Sequence, residues 1–164
     1  MFDFDVRGTL EPEGHRGNDV LALGTVHLGT PVADVPRAPV LALAPELSVG
    51  AAIEALRRAR RGAAVVARDQ RPLGVVTERD LLAHADLDPE GRRVAITNVM
   101  PLGHEPLRAG DTVGAALRRM CQMRQWHLAI VAGDGRLVGS LDVADLAMWL
   151  RDRMTLLSVE AAVE

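Results

Sequence analysis

An α/β fold of two pseudo-symmetric β-α-β-β-α repeats, packed as one compact module, follows from three observations. First, residues 32–82 match residues 96–147 in order: Val49 answers Val113 at an offset of 64, while Val66, Gly74 and Asp80 answer Val131, Gly139 and Asp145 at 65. The change of offset reads as one residue inserted between helix and strand. Second, each copy alternates short apolar runs with apolar residues at helical spacing. Third, neither copy is large enough to bury both faces of a small sheet, so the two must share their burial.

The elements follow in order. Residues 1–29 form an acidic arm, with Asp3, Asp5, Glu11, Glu13 and Asp19 among glycines and Pro12. Phe2 and Phe4 alternate with acids there, as a short edge strand would. The first repeat spans 30–88. Residues 40–44 read as a strand, Ser48 as a cap, and Val49, Ala52, Ile53, Leu56 and Ala59 as one face of a helix that Gly62 ends. Strands at 63–67 and 73–76 flank a polar turn at 69–71, and a helix occupies 78–84. A polar linker around 86–93 leads to the second repeat, 95–153. There a strand at 105–108, the cap Thr112 and a helix through Val113, Ala116, Leu117 and Met120 repeat the pattern. Strands at 128–132 and 137–141 bracket the turn residues Ala132-Gly133-Asp134-Gly135, and a helix covers 143–153. Residues 154–164 are a tail.

Composition narrows the function. Aromatics make up 2% of the 164 residues, too few for base-stacking platforms, and 19 basic against 22 acidic side chains leave a net charge of -3. Nucleic acid is therefore not the expected partner. The arginines at 57, 58, 60, 61, 118, 119 and 124 read as a solvated helix face, with nucleic acid, disfavoured by the net charge, or an acidic partner as the alternative. Cys121, the single cysteine, excludes an internal disulfide and cysteine-rich zinc modules. It sits beside Met120 and Met123 and reads as buried packing. The five histidines show no metal spacing, and no nucleophile elbow or carboxylate pair marks a reaction pocket. An enzyme is not expected. Acids replace the positive start of a signal peptide, and no apolar run nears the about 20 residues of a membrane span. A soluble cytoplasmic protein is the expectation.

The sharpest motif is Gly74-Val75-Val76-Thr77-Glu78-Arg79-Asp80, echoed by Gly139-Ser140-Leu141-Asp142-Val143-Ala144-Asp145. Thr77 with Asp80 three residues on is a capping box, and Asp142 with Asp145 can act alike. The same geometry suits a nucleotide. Helix amides and a hydroxyl face phosphate, and a carboxylate one turn on accepts ribose hydroxyls. Asp142 lacks a donor and repels phosphate unless a cation intervenes.

Two copies ending in G-x-x-[ST]-x-x-D resemble a tandem cystathionine-beta-synthase (CBS) domain pair, a Bateman module, over residues 30–153. Supporting pieces are VADV and ITNVM at the copy starts, SVGAAIEAL and TVGAALRRM in the helices, GVVTERDLL, and WHLAIV, where Ala129 stands at the family's proline position. Asp142 is the departure from the motif. The resemblance implies AMP, ADP, ATP or S-adenosylmethionine in clefts between the copies, with no catalytic cofactor and no metal. It implies Asp80 and Asp145 on ribose, and Thr77, with Arg79 beside it, on phosphate. Asp142 stands where the phosphate-facing hydroxyl is expected. Backbone around Val40 and His104 would face the base, and strand residues around Ala64, His127 and Leu128 would wall it. It further implies a homodimer, for which the small apolar helix residues Ala51, Ala52, Ala55, Ala115 and Ala116 are the expected exposed faces. The expected function is a stand-alone regulatory module that binds an adenine nucleotide and acts through another chain. The alternative is a ligand-free dimerisation module.

Overall fold

The structure, a computed structural model, describes residues 28–85 and 91–160. The acidic arm up to residue 27, with its Phe2–Phe4 alternation, and residues 86–90 of the linker lie outside the described residues. Strand β1 (Ala42–Leu43), helix α1 (Val49–Ala59), strands β2 (Ala63–Arg68) and β3 (Arg71–Thr77) and helix α2 (Glu78–Ala85) form the first half. Strand β4 (Leu107–Arg108), helix α3 (Val113–Met123), strands β5 (His127–Val131) and β6 (Leu137–Asp142) and helix α4 (Val143–Glu160) form the second. Each half is a three-stranded sheet, β1-β2-β3 or β4-β5-β6, with a parallel first pair and an antiparallel second pair.

Local chemistry explains the boundaries. The Ser48 and Thr112 hydroxyls accept the Ala51 and Ala115 amides at 3.3 and 3.2 Å, which starts α1 and α3. Both helices stop at an arginine in the left-handed region, Arg60 (φ 53°) and Arg124 (φ 51°), so Gly62 is not the terminator. The first hairpin turns through Asp69 and Gln70, both with positive φ, and the second uses Gly135 at φ 82°. Val66 pairs Gly74 and Ile130 pairs Gly139. Val66 therefore answers Ile130, not Val131, and the extra residue lies in the second hairpin turn rather than between helix and strand. Helix α4 runs on to Glu160, beyond the expected 153.

The two cores are completed crosswise. Val32 and Val35, at the start of the first copy, are buried with Val113, Ala116, Met120 and Leu128 of the second. Ile96 and Val99, at the start of the second copy, are buried with Val49, Ala52, Leu56 and Val76 of the first. The backbone seals both exchanges in matching ways. Val32 N–H donates to Asp111 O and Val113 N–H to Thr30 O, both at 2.8 Å. Ile96 N–H donates to Leu47 O and Val49 N–H to Val94 O, both at 2.9 Å. Ala52 and Ala116 are thus core residues and are not available to a dimer interface, whereas Ala51 is exposed. Cys121 is exposed as well, because Val113, Ala116 and Met120 form the inward face of α3.

The crossing leaders need the motif glycines. A Cβ on Gly74 would stand 3.0 Å from Met100 Sδ, and one on Gly139 would stand 2.8 Å from Arg37 Nε. The methionine tip is flexible. The Arg37 guanidinium is pinned, with Nη1 donating to Val32 O at 2.9 Å and Val35 O at 3.0 Å. Gly139→Ala should therefore cost about 1–3 kcal/mol, from overpacking and disturbed charge-assisted bonds. Gly74→Ala should cost less than about 1.5 kcal/mol, because Met100 can move. Urea unfolding of the two variants checks the order.

Candidate functional site

The sheets meet along β3 and β5, so the ends of both motifs open onto the seam between the halves. On the first side, β3 delivers Thr77 and α2 delivers Arg79 and Asp80. Thr77 N–H and Oγ1 donate to Asp80 Oδ2 at 2.9 and 2.7 Å, and Asp80 N–H donates back to Thr77 Oγ1 at 3.2 Å. This is the capping box that the spacing predicts. It commits the Thr77 proton to Asp80, so in this structure the hydroxyl does not donate into the cleft. Asp80 Oδ1 accepts no hydrogen bond among the described residues.

A cavity of about 330 Å³ lies over this box. The first half lines it with Thr77, Arg79 and Asp80, and the second half with Arg124, Trp126 and His127. Pro101 and Gln125 close the remaining sides. Of the expected site residues, the fold thus brings together Thr77, Arg79, Asp80 and His127. Arg124, Gln125 and Trp126 were not among them. Arg124 read as one of many surface arginines, and only the turn after α3 aims that segment at Asp80. Trp126 is 50% exposed, whereas Trp149 is buried in the second core.

The second motif behaves differently. Asp142 N–H donates to Asp145 Oδ2 at 3.0 Å, and Asp145 N–H to Asp142 Oδ1 at 2.8 Å. Asp142, Ala64, Leu128, His127 and Arg61 line a cavity of only about 20 Å³, room for roughly one water. Burial raises the Asp145 carboxyl above the ordinary carboxylate range; the Asp142 amide bond opposes this, the Asp142 charge adds to it, and Arg61 and Arg37 oppose it. The motif itself, Gly139 to Asp145, contains no cation. Two arginines of the first copy reach it, one from the end of α1 and one from the leader that crosses Gly139.

His127 borders both cavities. Burial holds its imidazole below the usual range; the Asp142 charge opposes this and Arg61 adds to it, so the ring is neutral at pH 7. His104 lies behind β5, where its Nε2 accepts the Ala129 amide at 3.4 Å. In the first half the matching Val65 amide goes to a backbone carbonyl, Leu41 O, at 2.9 Å. His104 Nδ1 and Gln125 Oε1 are both buried, and neither has a well-formed hydrogen bond among the described residues. Val40 is not with the others: it lines a separate depression with Ala42, Gln70 and Leu137. Among the described residues no group of His, Cys, Asp and Glu is placed to hold a metal ion, and no helix is long and apolar enough to cross a membrane.

Comparison with known proteins follows the same lines. The family model of the CBS domain matches residues 32–86. An uncharacterized 33.4 kDa protein in the ribosomal RNA operon of Thermofilum pendens is 42% identical over 53 residues, which are 32% of this chain and 18% of that protein. Among solved structures, the CBS domain protein PAE2072 from Pyrobaculum aerophilum, complexed with AMP, superposes with a TM-score of 0.65 at 24% identity. The match covers 71% of this chain and 90% of that one. The CBS-domain protein ATU1752 from Agrobacterium tumefaciens gives 0.63 at 25% identity, over 72% and 96%. The CBS domain pair of MJ0100, in complex with 5-methylthioadenosine and S-adenosyl-L-methionine, gives 0.67 at 15% identity, over 76% and 98%.

The raised Asp145 carboxyl has a consequence for stability. A folded-state value above the unfolded one favours the protonated form, so folding loses stability as pH rises through that range. Asp145→Asn keeps an acceptor for the Asp142 amide and removes the penalty. The variant should melt higher than the parent at pH 7, and the gap should vanish well below pH 3.8, where the parent carboxyl is protonated in both states. Thermal unfolding followed by circular dichroism across that range checks it.

Proposed function

The chain has the fold of a tandem CBS-domain pair, and on that footing we propose that it is a regulatory module binding a phosphorylated adenosyl ligand in the Asp80 cleft. The observation that carries the reading is Asp80 itself. One carboxylate oxygen is held by Thr77, the other accepts no hydrogen bond among the described residues, and Asp80 lines a 330 Å³ cavity whose walls come from both halves. A carboxylate fixed in this way is suited to two ribose hydroxyls. Relatives with this fold were solved with AMP, or with 5-methylthioadenosine and S-adenosyl-L-methionine. His127 and the half-exposed Trp126 would flank the ligand. Because the cavity joins the halves, an occupant bridges them, and the difference in free energy is available to a partner chain. The role in this reading is binding of the ligand.

The Asp142–Asp145 cleft is the lesser site in this reading. Its two carboxylates stand together, Arg37 and Arg61 act on Asp145 only through their charge, and the cavity beside Asp142 has little free volume. A homodimer is part of the proposal, since Val143 and Met148 on α4 are exposed apolar residues of a kind that a second copy covers.

Calorimetry with AMP tests the assignment. The expected stoichiometry is one ligand per chain. Asp80→Ala should weaken AMP by about tenfold to a hundredfold, the value of a charge-assisted bond to ribose. Asp145→Ala should change it less than about threefold. Equal losses, or a larger loss at Asp145, would reverse the ranking. Absence of binding to the parent protein would favour a ligand-free dimerisation module.

A further inference from the structure

The Asp80 cleft holds more positive charge than an adenosyl group needs. Arg79 enters from α2 of the first half, and Arg124 enters from the end of α3 of the second. Among the described residues neither guanidinium is in an ion pair, whereas Arg57, Arg58, Arg68, Arg136 and Arg151 all are. Against these two cations the cavity offers one carboxylate, Asp80, and a neutral His127. The excess is positive.

Arg124 also stands on an uncommon backbone. Its φ of 51° and ψ of 36° form the left-handed cap of α3, where glycine or asparagine fits at lower cost. Arg60 caps α1 in the same way, so the conformation alone implies no ligand. The surroundings separate the two. Arg124 lines the 330 Å³ cavity opposite Arg79 and Asp80, and Arg60 does not. The cap thus places Arg124 on the wall of the cleft contributed by the second half.

Resting on the adenosyl reading of this cleft, we propose that Arg124 is its specificity-determining residue. With Arg79 it closes from the opposite copy on the phosphate chain, so that the site grades ligands by phosphate charge. ATP and ADP then bind more tightly than AMP, AMP more tightly than adenosine, and the cationic sulfonium of S-adenosylmethionine is disfavoured. A multi-phosphate anion engages both guanidiniums at once, through bonds that adenosine cannot make.

The experiment titrates adenosine, AMP, ATP and S-adenosylmethionine into the full chain by calorimetry, in magnesium-free buffer. The proteins are the parent, Arg124→Gly, Arg124→Gln and Asp80→Ala, each also melted without ligand. Arg124→Gly relieves the backbone and should melt at the parent temperature or higher. It should leave adenosine within about twofold, weaken AMP about threefold to tenfold, and weaken ATP more than tenfold. Arg124→Gln keeps a long side chain without the charge and should show the same graded loss, so the result does not depend on the glycine variant folding. Equal losses for adenosine and ATP, or no loss for ATP, would overturn the role of Arg124 while Asp80→Ala still weakened binding by about tenfold or more. If the parent bound none of the four, or Asp80→Ala had no effect, the adenosyl reading of the cleft would fall, and the role of Arg124 with it.

Discussion

Each half of this protein is finished by the other. The leader carrying Val32 and Val35 fills the core under α3, and the leader carrying Ile96 and Val99 fills the core under α1. Each buried aliphatic side chain is worth on the order of 1.5–3 kcal/mol, in a fold whose net stability is on the order of 5–15 kcal/mol. Withdrawing either leader would remove a large fraction of that stability and strip hydrogen-bond partners from a helix start. The exchange therefore fixes the halves in one relation and puts a seam between them. Along that seam the leaders pass over Gly74 and Gly139, whose missing side chains leave room for Met100 and Arg37. The motif glycines serve the crossing first, and the residues three and six positions later inherit a place at the seam.

Given that frame, pseudo-symmetry makes two clefts and the sequence makes them unequal. Thr77 and Asp142 occupy matching positions and hold the following carboxylate in the same reciprocal way. The hydroxyl leaves one negative charge in the first cleft, and the carboxylate leaves two in the second. The cations are also matched to their surroundings. The charges of Arg37 and Arg61 act on Asp145, while Arg79 and Arg124 line a roomy cavity that holds one carboxylate, Asp80. The two clefts therefore differ in charge, and the proposed anion site is the one in which arginines outnumber carboxylates.

The repeat, both N-caps and both capping boxes were legible because each depends on residues a few positions apart. Ser48 and Thr112 cap the helices they precede, and the spacing of Thr77 and Asp80 alone dictates their bonds. The exchange of leaders was not legible, because the pairing of Val32 with Asp111 has no local signature. The same limit hid Arg61 and Arg37 from the second motif: they are far from Asp145 in sequence and near it only after the exchange. The end of α1 misled for another reason. Gly62 is the expected terminator, yet Arg60 accepts the left-handed conformation because its amide bonds to α1 carbonyls offset the strain. Matching the hairpin glycines, rather than the nearest valines, is what locates the inserted residue in the turn.

A crystal structure of the full chain grown with AMP would test the central claim most directly. The account predicts one AMP per chain in the Asp80 cleft, with its ribose hydroxyls on Asp80 Oδ1 and its phosphate between Arg79 and Arg124, and none at Asp142. AMP bound instead against Asp142 and Asp145, or an Asp80 cleft left empty at saturating nucleotide, would contradict it.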